Sequence, residues 1–312
     1  MATQTTVIAI GEREDLSDVI TRIDPDETPI YSALRKETVN NTTFDWLVQE
    51  LAASVANNFV AEGADASFAT PTQAVRFSNV TQISQKDAAV SGTLDSVDTA
   101  GRDRETAYQK VLKGLELRRD IEKGLCSDNA KATGATRETA NLSSWITNVS
   151  VGGSGGAAPT GDGSDVPTGG TDRALSLALI DAAHQAAYED GGNPNMLVLS
   201  PANKATFSDL SSGSVATNQI QYTAPREAAI VGSVSLYLSD YGELSVVIDR
   251  QIGNDRIYLL DADYASICTL PGRNFLVEDL AKTGDAAKFQ VITEYGLKVS
   301  APKAHGAVYD LS

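Results

Sequence analysis

Apolar and polar positions repeat along this chain in two rhythms, and the changes of rhythm mark its parts. Near the start, in GEREDLSDVITRIDPDETPIYSAL (residues 11–34), Leu16, Val19, Ile20 and Ile23 fall at i, i+3, i+4 and i+7. That is one stripe of an amphipathic helix. Pro25 stops the pattern after about three turns, and a helix that short is marginal unless its stripe is covered. The next residues, DPDETP, are turn and breaker chemistry and supply no second element to cover it. Ile30 and Tyr31 carry apolar surface just beyond the turn.

The rhythm then shifts to period two. TTFDWLV (42–48) sets Phe44, Trp46 and Val48 against polar or mixed neighbours, the mark of a half-buried strand, and AVRFSNVTQISQ (74–85) is a second extended stretch carrying Phe77. Between them, LAASVANNFVAEGADASFATPTQ is small and polar, with scattered apolar residues such as Phe59 and Phe68. It is too irregular for a core element and too long for an ordinary hairpin turn. The pattern predicts a long two-stranded arm with a loose tip. An isolated hairpin is marginal in water, so the arm cannot bury its own faces.

Period 3.6 returns in DRETAYQKVLKGLELRRDIEKGLCSDN (103–129), the longest predicted helix, with Tyr108, Val111, Leu112, Leu115, Ile121 and Leu125 as a broken apolar face. Its other side mixes Lys and Arg with Asp and Glu, which reads as a solvated or ion-paired face rather than a DNA contact. TDRALSLALIDAAHQAAYEDGG predicts a second helix, capped by Thr171 or Asp172 and closed by Gly191, apolar nearly all round and therefore well buried. NMLVLS then reads as a short inner strand, SPANKATFSDL as a capped helix, SVSLYLSDYGELSVVID as a hairpin about SDYG, and RIYLL as a strand. A long strand runs from Phe289 to Val299, and its alternating polar positions predict one wet face.

Composition narrows the class. The 312 residues are 42% apolar, enough for a folded chain, and carry 25 Lys and Arg against 41 Asp and Glu. A net charge of −16 leaves no strongly basic body for gripping nucleic acid. No run of about eighteen apolar residues occurs, and the N-terminus lacks a basic and then apolar leader, so neither a membrane span nor a signal peptide is indicated, and synthesis in the cytoplasm is expected. Cys126 and Cys268 form no metal-ligand spacing and read as two buried thiols.

Reactive chemistry is sparse. His184 sits mid-helix among alanines and His305 in the turn-like PKAHGA; neither has a nucleophile motif beside it. The carboxylates of DADY (261–264) lack the spacing of a calcium loop and read as a solvated turn. The glycine-rich VGGSGGAAPTGDGSDVPTGGT (151–171) contains no lysine, which removes a phosphate-cradling loop and leaves a loop or linker. The residues therefore predict no catalytic group, no cofactor and no metal.

The order of parts, a short docked helix, a β arm, a spine helix, a compact α/β unit and a returning strand, resembles the major capsid proteins of tailed bacteriophages, the Hong Kong 97-like fold. The stretches that carry the resemblance are REDLSDVITRIDPDETPIYSAL, RETANLSSWI, SPANKATFSDL, LSDYGELSVVIDR and LAKTGDAAKFQVITEYGLKVSAPKAHGAVYDL, in family order along nearly the whole chain. The resemblance implies an α+β fold with an N-terminal arm (1–36), an extended E-loop (37–93), a peripheral domain with the spine helix (94–150), a glycine-rich loop (151–170), an axial domain (171–270) and peripheral return strands (271–312). It implies a structural protein that self-assembles through hexamers and pentamers into an icosahedral virion shell around double-stranded DNA, without sequence specificity. Further implied partners are a scaffolding protein, a portal protein and a decoration protein.

On this reading Leu16, Val19, Ile20, Ile23, Ile30 and Tyr31, with Phe44, Trp46, Phe59, Phe68 and Phe77 of the arm, are expected to contact neighbouring subunits. Relatives that weld their shells use an E-loop lysine, and no lysine lies between Lys36 and Lys86, so covalent cross-linking is not expected. The start at Met1, with no sign of a cleaved scaffolding segment, leads to the expectation that the scaffold is a separate protein. The rival readings are an encapsulin shell, which shares the fold, and, more distantly, a hydrolase using His184 or His305.

Overall fold

The computed structural model describes residues 24–66, 68, 70–97, 104–214, 235–282 and 284–312, with the side chains of residues 211–214 outside that set. The predicted stripe Leu16, Val19, Ile20 and Ile23 lies outside the described residues. The elements run α1 (Pro29–Ala33), β1 (Arg35–Thr38), β2 (Thr43–Val48), β3 (Val75–Val80), β4 (Gln82–Ser91), α2 (Gly92–Ser96) and α3 (Glu105–Cys126). They continue as β5 (Ala132–Thr133), β6 (Arg137–Glu138), α4 (Leu142–Trp145), β7 (Asn148–Ser150), α5 (Leu177–Glu189), β8 (Met196–Leu199) and α6 (Pro201–Ser214). The last are β9 (Leu236–Ser239), β10 (Gly242–Ile248), β11 (Ile257–Leu260), β12 (Ala265–Thr269), β13 (Leu276–Leu280), β14 (Ala286–Val299) and β15 (Gly306–Val308).

One sheet is organised by β14, which pairs antiparallel with β4 from Ala286 opposite Ser91 to Tyr295 opposite Gln82, and also with β13 and β12; β1 adds in parallel to β12. The expected wet face of β14 is not there: every residue from Val291 to Leu297 is buried. On one face Phe289 packs with Leu117 of α3, and the Tyr295 hydroxyl reaches so close to Gly124 that a Cβ there would lie 3.1 Å away. On the other, Gly296 leaves room for the Phe44 ring, which a Cβ would meet at 2.7 Å. Glu294, on that same face, is held by Arg137 and Arg273, each at 2.7 Å, and by the Thr81 hydroxyl at 2.8 Å. Polar residues at alternate positions thus mark a buried ion-paired junction, whose partners come from three distant segments.

The second sheet has the order β7-β15-β11-β8-β10-β9. Its inner strand β8 is buried at all four positions, because Leu197 and Leu199 face a core with Ile180 of α5 and Phe207 of α6, while Met196 and Val198 face the core shared with α3 and α4. A continuous apolar run is what burial on both faces requires.

Several details differ from the pattern reading. The spine helix buries Leu117, Ile121 and Leu125, one stripe at i, i+4 and i+8, whereas Val111 is exposed. Helix α5 starts after Ser176, and only Ile180, Ala183, His184 and Ala187 are buried; Ala182 and Tyr188 face outward, so it is amphipathic rather than buried all round. The glycine-rich segment is not a linker but a folded loop: Ala157 and Thr168 exchange backbone hydrogen bonds, the Lys131 N–H bonds the Gly163 carbonyl, and the Gly152 N–H bonds Asp310. Gly163, at φ 79°, lies against the Trp145 ring where any Cβ would clash. The sheets also cut across the expected segment boundaries, since β12 joins the β14 sheet and β15 joins the other.

Candidate assembly surface

Two parts of the predicted contact set behave in opposite ways. The β2–β3 ribbon starts as a regular antiparallel pair with Trp46 opposite Phe77. Phe44 and Trp46 stack at 5.9 Å between centroids, and Trp145, fully buried on α4, meets Trp46 at 5.1 Å and Phe77 edge-on at 5.9 Å. Asn79, also fully buried, anchors the ribbon's end: its Nδ2 donates to the Leu297 carbonyl (2.6 Å) and the Ala140 carbonyl (3.1 Å), and its Oδ1 accepts from the Ala140 N–H (3.0 Å). Phe44 and Trp46, expected on a neighbouring subunit, therefore lie in the chain's own core, and Phe77 is partly buried against it. The local pattern could show that these rings need cover but not that RETANLSSWI, about 100 residues away, supplies it.

Ile30 is corrected in the same way. It is fully buried in the chain's own core, and Tyr31 is partly buried between Arg118, Lys36 and an edge-on Phe275. The root of the N-terminal segment thus leans on the spine helix.

Beyond Val48 and before Val75 the ribbon loses its pairing and its cover. Leu51 is 98% exposed, Phe59 85%, Val60 84% and Phe68 95%. Val55, Leu47 and Val75 add to this surface. Residues 49–74 contain Glu50, Glu62 and Asp65 and no Lys or Arg. Within the segment Gln49 donates to the Thr72 carbonyl at 3.1 Å, and the Lys303–Glu50 ion pair at 2.8 Å ties its start to the body. Large side chains exposed together in this number mark an interaction surface rather than ordinary surface scatter.

The residues singled out for chemistry are enclosed. His184 and His305 are both fully buried; His305 Nδ1 accepts from the Asp261 N–H at 3.1 Å, and burial pushes its pKa down to about 4. Burial also lowers His184. Both imidazoles are neutral and out of reach of a substrate. Asp261 caps its own turn by accepting from the Asp263 N–H at 3.0 Å, and Asp263 pairs with Arg35. Cys126 and Cys268 are free and buried, and burial raises both thiols, to about 12 for Cys268. Among the described residues no group of three or more His, Cys, Asp or Glu side chains is placed to hold a metal, and no helix is long and apolar enough to cross a membrane.

A body of two sheets and a spine helix, carrying a bare apolar ribbon, fits a shell-building protein. Residues 1–312 match the SU10 major capsid protein family, and the chain belongs to it. It is 25% identical over 338 residues to the major capsid protein of Escherichia phage Phieco32, covering 96% of this chain and 94% of that one. Among solved structures it is similar to the capsid asymmetric unit of Cyanophage A-1(L), with a TM-score of 0.68, 14% identity and 98% of both chains covered. A second is the capsid of Phage G, solved with its major capsid and decoration proteins, with a TM-score of 0.57, 10% identity and 96% and 95% covered. The fold is the Hong Kong 97-like capsid fold, and the function is to form the phage capsid shell. Nothing in the comparisons favours the encapsulin or hydrolase readings.

Proposed function

We propose that residues 49–74 are the element that joins subunits, lying across a neighbouring copy in the assembled shell. The observation that carries this is the exposure of Leu51, Phe59, Val60 and Phe68 on a ribbon whose base is fixed to its own chain. Burying one such side chain contributes about 1.5–3 kcal/mol, so a set of four repeated around a capsomer offsets the entropy of ordering the tip. A contact that uses a different patch on each partner is heterologous and closes into rings. Hexamers and pentamers are such rings, and they build an icosahedral head around double-stranded DNA.

In this reading the β14 sheet with α3 is the peripheral domain, the β8 sheet with α5 and α6 the axial domain, and residues 1–36 the N-terminal arm that includes Leu16, Val19, Ile20 and Ile23. Assembly takes place in the host cytoplasm with a scaffolding protein and a portal. A decoration protein is a further partner, as in the Phage G capsid. The acidic chain suits an inner wall that holds DNA without gripping it. The test is a symmetric reconstruction of assembled particles. Density for Phe59 and Phe68 against a second copy is expected, and density placing them on their own subunit overturns the proposal.

A further inference from the structure

One side of the spine helix α3 is covered for only part of its length. In the C-terminal half Glu122, Leu125 and Cys126 are buried, and α1 lies over this end. The Ile30 and Tyr31 N–H groups donate to the two carboxylate oxygens of Glu122, each at 2.7 Å, and Arg118 donates to Ser32 Oγ at 2.8 Å with its guanidinium 5.3 Å from the Tyr31 ring centroid. Stepping back from Arg118 by three and four residues along the same side gives Leu115, Gly114, Val111 and Ala107. Here the cover stops. Val111 is 63% exposed, Ala107 is exposed, Leu115 is only partly buried, and a Cβ added at Gly114 would meet nothing within 4 Å. A glycine inside a helix weakens it, and its use is to let another piece of backbone come close.

We propose that this bare stretch is the seat of the chain's own N-terminal stripe, Leu16, Val19, Ile20 and Ile23, which lies outside the described residues. The lengths agree: as a helix, Leu16 to Ile23 spans about 10.5 Å, and Ala107 to Leu115 about 12 Å. The tether reaches as well. Ile30 is fixed at Glu122, and the bare face begins at Leu115, about 10 Å back along α3; residues 24–28 span up to about 17 Å when extended. With Ile23 nearest Leu115 the segment runs parallel to α3, which sets Glu12, Glu14 and Asp15 near the exposed Arg104 and the end of α3 where the helix dipole favours negative charge. Ser17, Asp18 and Thr21 then fall on the opposite, solvent side of the stripe. So short a tether holds the stripe at an effective concentration of about millimolar, and docking too weak to join two separate chains is sufficient within one. The partner of the stripe is therefore the chain's own spine helix rather than a neighbouring subunit.

The experiment is thiol cross-linking of the full-length unassembled chain carrying Ile20→Cys and Val111→Cys, with a short bismaleimide; Cys126 and Cys268 are buried and stay out of the reaction. The expected product is a cross-linked monomer, formed severalfold faster than in a chain carrying Asp18→Cys and Val111→Cys. Cross-linked dimers would assign the face to a second copy and overturn the proposal, as would no cross-link or equal rates from the two pairs. Trypsin cleavage after Arg22 gives a second reading that needs no cysteines. The native chain should be cut severalfold more slowly than a free peptide of residues 11–28, and Val111→Asp, a change at an exposed position that leaves the fold intact, should remove that protection. A native chain cut as fast as the peptide overturns the proposal, as does a Val111→Asp chain that keeps its protection. Both readings are made before assembly and so stand apart from the subunit-joining role of residues 49–74.

Discussion

The base and the tip of the β2–β3 ribbon are continuous in sequence and both carry aromatic rings, yet the chain treats them as different materials. At the base, Phe44, Trp46 and Phe77 close on Trp145, and Asn79 spends its amide on two segments, at Thr139–Ala140 and at Leu297. At the tip, Phe59 and Phe68 touch water over most of their surface. An aromatic ring stabilises a fold only where another element is positioned to receive it. The chain supplies a receiver for the base and none, among the described residues, for the tip. The base therefore belongs to the stability of the single chain, and the tip is the part proposed to join subunits.

The largest effect should come from removing the receiver. Trp145→Ala deletes the ring on which Trp46 and Phe77 rest and should destabilise the free chain by about 3–5 kcal/mol, read as a shift in the urea midpoint at constant slope. A change under about 1 kcal/mol would mean that the base is not part of the core.

Acid should act on the body next. His305 is neutral and depressed to about 4 in the folded chain against 6.5 in its ordinary state. The unfolded chain thus binds the extra proton, so stability is full above about pH 6.5 and falls as pH drops toward 4, by up to about 3 kcal/mol. Urea unfolding at pH 7 and pH 4.5, compared with a His305→Gln chain that lacks this slope, checks it.

A smaller loss is expected at the anchor. Asn79→Ala leaves the Ala140 N–H and two carbonyls short of a partner and should cost about 1–3 kcal/mol. It should also raise hydrogen exchange in residues 43–48 and 75–80 while leaving β8 unaffected.

The smallest effect on folding is predicted at the tip. Phe59→Ser with Phe68→Ser should change the stability of the free chain by no more than about 0.5 kcal/mol. The same pair should abolish or strongly slow particle formation, seen by negative-stain microscopy. Normal particles from the double variant would show that the tip is a bystander.

The contrast also shows what a sequence discloses. Elements with a strong local rhythm were legible: the spine helix, the inner strand Met196–Leu199, the Leu236–Ile248 hairpin and the long β14. Illegible was which apolar surface meets its own chain. That depends on contacts such as Asn79 with Leu297 or Ile30 with Glu122, separated by 218 and 92 positions, and periodicity does not report them. The same limit explains β14. Its polar residues Glu294 and Lys298 suggested solvent, but Glu294 faces two arginines, Arg137 and Arg273, and Lys298 pairs with Glu37 at 2.8 Å. Of the two readings of the glycine-rich segment, loop or linker, the structure takes the loop, and Gly152, Gly163 and Gly170 are there because they touch backbone or rings too closely for a Cβ.

The most direct test is oxidative footprinting of Phe59, Phe68, Trp46 and Trp145 in the unassembled chain and in assembled particles. The account predicts strong labelling of both phenylalanines in the free chain, at least a severalfold loss of it on assembly, and weak labelling of both tryptophans throughout. Phenylalanines already protected in the free chain, or equally labelled before and after assembly, would contradict it.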